Sequence, residues 1–456
     1  MSRKKTGAIW PARRRLIEGL ALALAASGAS LPTEGVAATR MVSNCLDSGS
    51  GSLRDTIAAV TTVSNDEVTF SASLPCSTIT LSSGEIPVTQ VNLSISGPGA
   101  GALAISGGGI HRVFRHDGSG TLNITGLTIT QGKYEANSGT ARGGCLRSAG
   151  NIVLTDSTVS SCIARATASA SAYGGGIFTS GDLYLIRSTL ADNIVAGPSD
   201  TAMVFHRVWG GGAFVGGGLI VSYSTIVNNI ANTPDHRATG GGLYTYGNAQ
   251  VDQSTISGNQ ADSAGGWGAR SPGGGNTISI VNSTISGNSA SATVGAMSSV
   301  PALTLLNTTV AFNQAADADG GLYVRATLTL KSSIVADNIN YLTGTASDLA
   351  GLLGTTVLGS YNLITSSTLL IPPDTIMTCP QLVGLADNGG VTRTHALKHT
   401  SPAINHGNGA QFPAIDQRGP GFPRPIGAGV DIGAYERQGA KDDGVFNGGF
   451  ESTCDR

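Results

Sequence analysis

The hexapeptide Ser-Thr-Ile-Ser-Gly-Asn occurs at 254–259 and again at 283–288. It closes a longer module in which an apolar marker stands at a fixed distance before an Asn-type slot. The markers are Leu146, Ile177, Ala213, Leu243, Met297 and Leu322, each following Gly or a small residue. Their slots are Cys162, Asn193, Asn229, Asn259, Asn313 and Asn338, and the offset is the same in every pair. One further slot, Asn288, has Pro272 at the marker position and is degenerate there. Slot-to-slot intervals of roughly 25–36 residues fall within the periods of repeat architectures. A module of constant length recurring at such intervals means stacked coils, each burying its apolar face against its neighbours.

Inside the module, Leu183-Tyr184-Leu185, Ile278-Ser279-Ile280, Leu303-Thr304-Leu305 and Leu328-Thr329-Leu330 alternate and then turn at Gly, Asn or Asp. Alternation over three to five residues reads as short strands, and no convincing apolar period of 3.6 appears after the N-terminal segment. The expected fold is therefore all-β, a right-handed parallel β-helix of about eight or more rungs. Eight rungs would rise about 38 Å at roughly 4.8 Å each. Asn at a corner tolerates left-handed backbone, and stacked amides can hydrogen-bond along the solenoid. Asn193, Asn229, Asn259, Asn288, Asn313 and Asn338 are thus expected to form a structural ladder. Ser and Thr can form weaker ones.

Residues 1–38 read as an export signal: Arg3, Lys4, Lys5 and Arg13-Arg14-Arg15 precede an apolar run at 20–26, and Val36-Ala37-Ala38 offers a small-residue cleavage site. Its removal takes six of 27 basic and two of 29 acidic residues, leaving 21 against 27. A mildly acidic chain is poorly suited to nucleic acid. No later segment reaches the 18 apolar residues of a membrane span. The expected location is outside the cytoplasm of a Gram-negative bacterium, as a monomer. All six cysteines follow the signal, which suits disulfides. The preferred pairs are Cys45 with Cys76, Cys145 with Cys162, and Cys379 with Cys454. No two stand at zinc-ligand spacing, so neither metal nor cofactor is expected.

Residues 39–120 and 345–438 lack the module, and flanks of a solenoid must protect its open strand edges. They are read as an N-terminal cap with the first rungs and a C-terminal cap around repeats at 121–344, with a polar tail at 439–456. Asn44-Cys45-Leu46-Asp47-Ser48-Gly49 with Gly51-Ser52-Leu53-Arg54-Asp55 resembles the CSLREA segment of exported bacterial β-helix proteins. Leu385 to Gly390, Thr394-His395-Ala396-Leu397, Ser401-Pro402-Ala403-Ile404, Asp416-Gln417-Arg418-Gly419 and Asp431-Ile432-Gly433-Ala434-Tyr435-Glu436 resemble the choice-of-anchor Q domain, in the family's order. Gly211-Gly212-Ala213-Phe214 is similar to the repeats of polymorphic outer membrane proteins. Together these resemblances imply an exported surface or secreted β-helix and supply no reaction.

With the module fixed in length, variation falls between a slot and the next marker, so the longer connections at 194–212, 230–242 and 260–275 stack at one corner. They carry His206, Arg207, Trp209, Asp235, His236, Arg237, Trp267 and Arg270. Aromatic faces beside Arg and His suit sugar stacking and carboxylate pairing. These residues are the candidate binding set, for a glycan or a cell-surface protein. A lyase groove would be strongly basic or loaded with Ca²⁺-binding carboxylates, and a glycosidase needs paired carboxylates. Neither pattern is evident. Asp317 and Asp319 occupy a short connection elsewhere, and Asp442-Asp443 lie in the tail. The favoured expectation is a non-catalytic structural or adhesion-like protein, with carbohydrate binding or polysaccharide-lyase chemistry as alternatives. His395, His399 and His406 with Asp387, Asp416 and Asp431 sit within turn-rich motifs and are read as turn and capping residues.

Overall fold

The computed structural model describes residues 38–439, apart from 62–65, 168–169, 199–205, 235–236 and 318. The chain is a parallel β-helix. Sheet A stacks 12 strands from Thr39–Val42 to Val357–Ser360, sheet B 11 from Thr78–Thr80 to Leu363–Ile364, and sheet C ten from Ile86–Val88 to Leu349–Gly351. A fourth face, sheet D, stacks nine strands, and beside it runs a strip of three: Thr140–Arg142, Ser171–Tyr173 and Val208–Trp209. One rung passes through sheets C, A, B and D in turn. Strand alternation sends Ile152, Leu154, Leu183, Leu185, Ile278, Ile280, Leu303, Leu305, Leu328 and Leu330 into one continuous core. One short helix, Leu53–Ala58, lies at the N-terminal end, capped by Ser52.

The register confirms the stacked markers and corrects one of them. Leu243 pairs with Trp267, and Trp267 with Met297. Pro272 is not the marker of its rung; Trp267 is, and Gly265-Gly266 precede it as the pattern demands. The extra residues therefore enter between sheets C and A, where Gly274 N–H closes a turn on the Ser271 carbonyl. The module has a constant length only where that turn is short. Trp267, expected in a surface loop, is fully buried in the core, and its Nε1 donates to Thr245 Oγ1 at 3.0 Å.

The Asn ladder forms, with a different division of labour. Left-handed backbone falls on the residue before each slot: Ser161, Asp192, Asn228, Gly258, Gly287, Phe312 and Asp337. The slot side chains themselves turn inward and are buried. Asn259 Oδ1 accepts from Asn229 N at 2.9 Å and from Asn229 Nδ2 at 2.9 Å. Its own Nδ2 donates to Ile226 O at 3.0 Å and to Asn288 Oδ1 at 2.9 Å. The same pattern runs from Cys162 N, which donates to Asn193 Oδ1, to Asn338. There Asp348 Oδ1 accepts from Asn338 N and Nδ2, both at 2.9 Å, and ends the column with an acceptor. A second ladder, of hydroxyls, links Ser157, Ser188, Ser224, Ser254 and Ser283 through backbone N–H to Oγ bonds of 3.0–3.2 Å.

Cys45 pairs with Cys76 and Cys145 with Cys162. The second bridge staples one rung across its interior at the head of the Asn ladder. The proposed partner of Cys379, Cys454, lies outside the described residues, as does the segment 1–37. No helix among the described residues is long and apolar enough to cross a membrane.

The C-terminal flank does two things. Residues 345–379 complete the last rung and add part of another, through parallel bridges of Leu349 with Ser367 and Leu363 with Ile376. Residues 380–437 then run back along the outer face of sheet B as a strap. Thr255 Oγ1 donates to Arg393 O at 2.7 Å, Thr284 Oγ1 to Gln417 Oε1 at 2.6 Å, and Asn282 Nδ2 to Ile415 O at 2.9 Å. Leu382, Ala396, Leu397, Ile432 and Tyr435 pack on Ala311, Ile334 and Leu363. Within the strap, the Arg418 guanidinium lies 3.9 Å from the ring centres of both Phe422 and Tyr435 and pairs with Asp416 at 2.6 Å.

Two measurements test the ladder. Asn259→Ala removes four buried hydrogen bonds and leaves the Asn229 N–H without its acceptor, and should cost about 2–4 kcal/mol in denaturant unfolding, where a bond contributes about 0.5–1.5 and an unsatisfied group costs about 1–3. A loss under about half a kcal/mol would refute the ladder's role. Burial pushes the Asp348 carboxyl up to about 6, against the opposing hydrogen bonds from Thr365 and Asn338. A raised folded pKa favours the protonated form, so this site's contribution is present below about 4 and is lost as pH rises through about 6. Asp348→Asn should therefore reduce the fall in stability between about pH 4 and pH 7. An identical pH slope in variant and wild type would contradict this.

Candidate functional site

Between the strip and sheet C the chain makes a tight outward bend in four successive rungs. Gly143, Gly174, Gly210 and Gly240 occupy it with φ of 63–75°. A Cβ on any of them would come within 1.9–2.2 Å of the carbonyl oxygen of the sheet C residue three positions on. Gly takes this conformation most readily in these four rungs, whereas the next two rungs carry Ala264 and Val294 at the same position, also with positive φ. The bend turns the outward side chains of the strip toward those of sheet C. In register along the strip stand Arg142, Tyr173 and Trp209. Along sheet C stand Arg147, Phe178, Phe214 and Tyr244.

The two rows form an aromatic cluster outside the main core. Trp209 stacks on Tyr244 with centroids 4.4 Å apart and planes 5° from parallel, and Phe178 on Phe214 at 5.3 Å. Tyr173 lies 5.0 Å from Phe214. Tyr246 meets Trp209, Phe214 and Tyr244 edge-on at 5.5–6.0 Å. Such geometries are the favoured ones for rings with a negative face and positive edge. Trp209 is 9% exposed and Tyr244 1%, whereas Tyr173 and Tyr246 are half-buried.

Cations surround the rings. Arg207 Cζ sits 5.0 Å from the Trp209 ring centre, and Arg142 Cζ 5.1 Å from that of Phe178. Burial holds the Tyr244 phenol well above the ordinary tyrosine range, while Arg270 and Arg207 act on it in the opposite sense. The Tyr244 hydroxyl is buried and makes no hydrogen bond, and neither does Arg142 Nε. Among the described residues, no carboxylate forms an ion pair with Arg142, Arg207 or Arg270.

Of the candidate binding residues, the structure brings together Arg207, Trp209 and Arg270. Trp267 belongs to the core. His206 is buried at the start of its strip strand. Arg237 is exposed, and its backbone N–H donates to Thr233 Oγ1 at 3.0 Å. Asp235 and His236 lie outside the described residues. Sequence reasoning missed Arg142, Tyr173, Phe178, Phe214, Tyr244 and Tyr246. Their signal was legible: aromatics bracket the Gly run on both sides, as in Tyr173-Gly174 with Phe178 and Trp209-Gly210 with Phe214.

Other titratable groups have structural partners. Burial lowers His395 to about 4, and its ring nitrogens meet Ser286 Oγ and Val383 O, each at 2.7 Å. Asp387 accepts from Gly389 N, Asp416 from Arg418 N, and Asp431 from Asn405 N and Arg437 N. No group of three or more metal-ligating side chains converges among the described residues.

No protein-family model matches the sequence, and no curated protein matches it. The three family resemblances stand on their motifs alone. Among solved structures, the chain is similar to one described as the crystal structure of pectate lyase Pel9A, at 12% identity and a TM-score of 0.41. The match covers 89% of this chain and 98% of that one.

Gly210→Ala tests the bend. The substitution forces Ala into left-handed backbone against a carbonyl and should cost at least about 2 kcal/mol. It should also weaken the near-UV circular dichroism of the Trp209–Tyr244 stack. Wild-type stability with an unchanged spectrum would refute this account.

Proposed function

We propose that this chain is an exported, non-catalytic β-helix whose arginine–aromatic corner recognises an acidic glycan. The observation that carries the reading is the gathering of Arg142, Arg207 and Arg270 around one ring cluster with no carboxylate among the described residues paired to them. Uncompensated guanidinium groups beside ring faces suit a ligand that is itself ring-shaped and anionic. The innermost rings are too well covered to stack on a sugar and serve as a floor. The half-buried Tyr173 and Tyr246, with the arginine heads, are what a ligand meets. Two disulfides fit an oxidising compartment, and the N-terminal segment and the choice-of-anchor Q resemblance support export.

The test is a panel of uronate and sulfated polymers beside neutral glucans, with and without Ca²⁺. The acidic polymers should bind, and more weakly at high salt. Arg207→Ala with Arg270→Ala should reduce affinity by about tenfold or more, the scale of one to two charge-assisted contacts. Equal binding by the double variant would remove the corner as the site. Appearance of unsaturated-product absorbance would replace the binding reading with lyase chemistry.

A further inference from the structure

Past the ring cluster, the same corner continues toward the C-terminal end with different residues. The outward column of sheet C runs Tyr244, Gly268, Ser298 and Tyr323 in register. Gly268 leaves room for the Tyr244 ring over its rung: a Cβ there would stand 3.0 Å from Tyr244 Cδ2 and 2.9 Å from Thr239 Cγ2. The next outward position on successive rungs carries Tyr246, Arg270, Val300 and Arg325. Arg270 N donates to Thr245 O at 2.9 Å, Val300 N to Ala269 O at 3.1 Å and Arg325 N to Ser299 O at 2.9 Å, so this column is in register too. Across the bend stand Thr239, Ser263 and Thr293, bridged along the stack. Ser263 Oγ lies 2.9 Å from Thr293 Oγ1.

These rows define a track parallel to the solenoid axis. The small Ser298 separates the Tyr244 and Tyr323 rungs, with arginines on one side and hydroxyls on the other. Arg270 and Arg325 are exposed, and Ser298, Val300 and Tyr323 are half-buried. Arg325 Cζ lies 5.5 Å from the Tyr323 ring centre, and the Arg270 charge acts on both Tyr244 and Tyr246. Among the described residues, no carboxylate forms an ion pair with Arg270 or Arg325. The two arginines stand two rungs apart, about 10 Å at roughly 4.8 Å per rung, with Val300 between them. One rung is close to the rise of one sugar in an extended β-linked chain. Cation, methyls and cation therefore alternate at the pitch of successive sugars.

We propose that this track takes a linear acidic polysaccharide laid along the axis, with carboxylates two sugars apart on Arg270 and Arg325. The proposal rests on the glycan reading of the corner and extends it three rungs beyond Tyr244. It adds the direction of the chain and the spacing of its charges. Each guanidinium takes one carboxylate through paired N–H donors. The sugar between them faces Val300 and Ser298, where a further carboxylate would be desolvated against the Val300 methyls without a partner. Sugar hydroxyls meet Ser263 and Thr293, and Tyr323 supplies a ring at the far end. A chain of alternating uronate and N-acetylhexosamine has this charge spacing.

Calorimetric titration with the disaccharide and the tetrasaccharide of hyaluronan, an unsulfated alternating uronate–hexosamine polymer, reads the spacing. The tetrasaccharide carries two carboxylates and should bind wild type at least about tenfold more tightly than the disaccharide, the scale of one charge-assisted contact. Arg270→Ala and Arg325→Ala should each abolish that gain with unchanged thermal unfolding, and Arg325→Lys should keep part of it. Arg187→Ala removes an exposed arginine at the corner between sheets A and B and should keep all of it. A gain that survives Arg325→Ala overturns the proposal. Binding of acidic polymers that needs Arg207 but not Arg325 also overturns it, while leaving the corner itself as a site. If no acidic polymer binds wild type, both readings fall.

Discussion

The stack depends on a column of buried amides. Each Asn in the ladder is held by the backbone of one rung and holds the backbone of the next, so no rung can slip by one residue without orphaning several polar groups in the core. Apolar burial alone would not give that precision, because a strand shifted by two residues still presents an apolar side chain inward. The amide column removes that freedom. It converts a generic greasy interior into a fixed register, and the outer faces inherit the register as straight columns of side chains.

Those columns make the candidate site. A ring at the residue after a marker and a ring just before the Gly run are separated by a bend, and in-register stacking repeats the pair over consecutive rungs. Phe178, Phe214 and Tyr244 on one side thus meet Tyr173 and Trp209 on the other. The same geometry lines up the Thr and Ser hydroxyls of sheet B. One inward constraint therefore organises two outward surfaces with different chemistry.

Legibility in the sequence followed the distance over which each feature acts. The ladder, the coil and two disulfides were readable because they recur at a period or staple neighbouring corners. The rung of Trp267 was misread because Pro272 happened to fall at the usual marker distance before Asn288, while the Gly pair ahead of Trp267 carried the true signal. The conformational role of Asn was misplaced by one residue, since the side chain that bonds inward and the backbone that turns are different residues. The aromatic corner was half seen: Arg207, Trp209 and Arg270 stood out by rarity of residue type, while the rings that bracket the Gly runs were passed over. The strap left no periodic trace at all. Its bonds join residues such as Gln253 and Asp416, 163 positions apart.

The strap also divides the solenoid into parts with different evolutionary freedom. Rungs from Thr255 to Ile334 are read by a single segment whose contacts are spaced to match them. Inserting or deleting a coil there would throw every later contact out of step. Among the described residues, the strap's hydrogen bonds reach no coil before that of Gln253. Lineages of this protein should lengthen or shorten at the N-terminal side while the strapped coils keep their number.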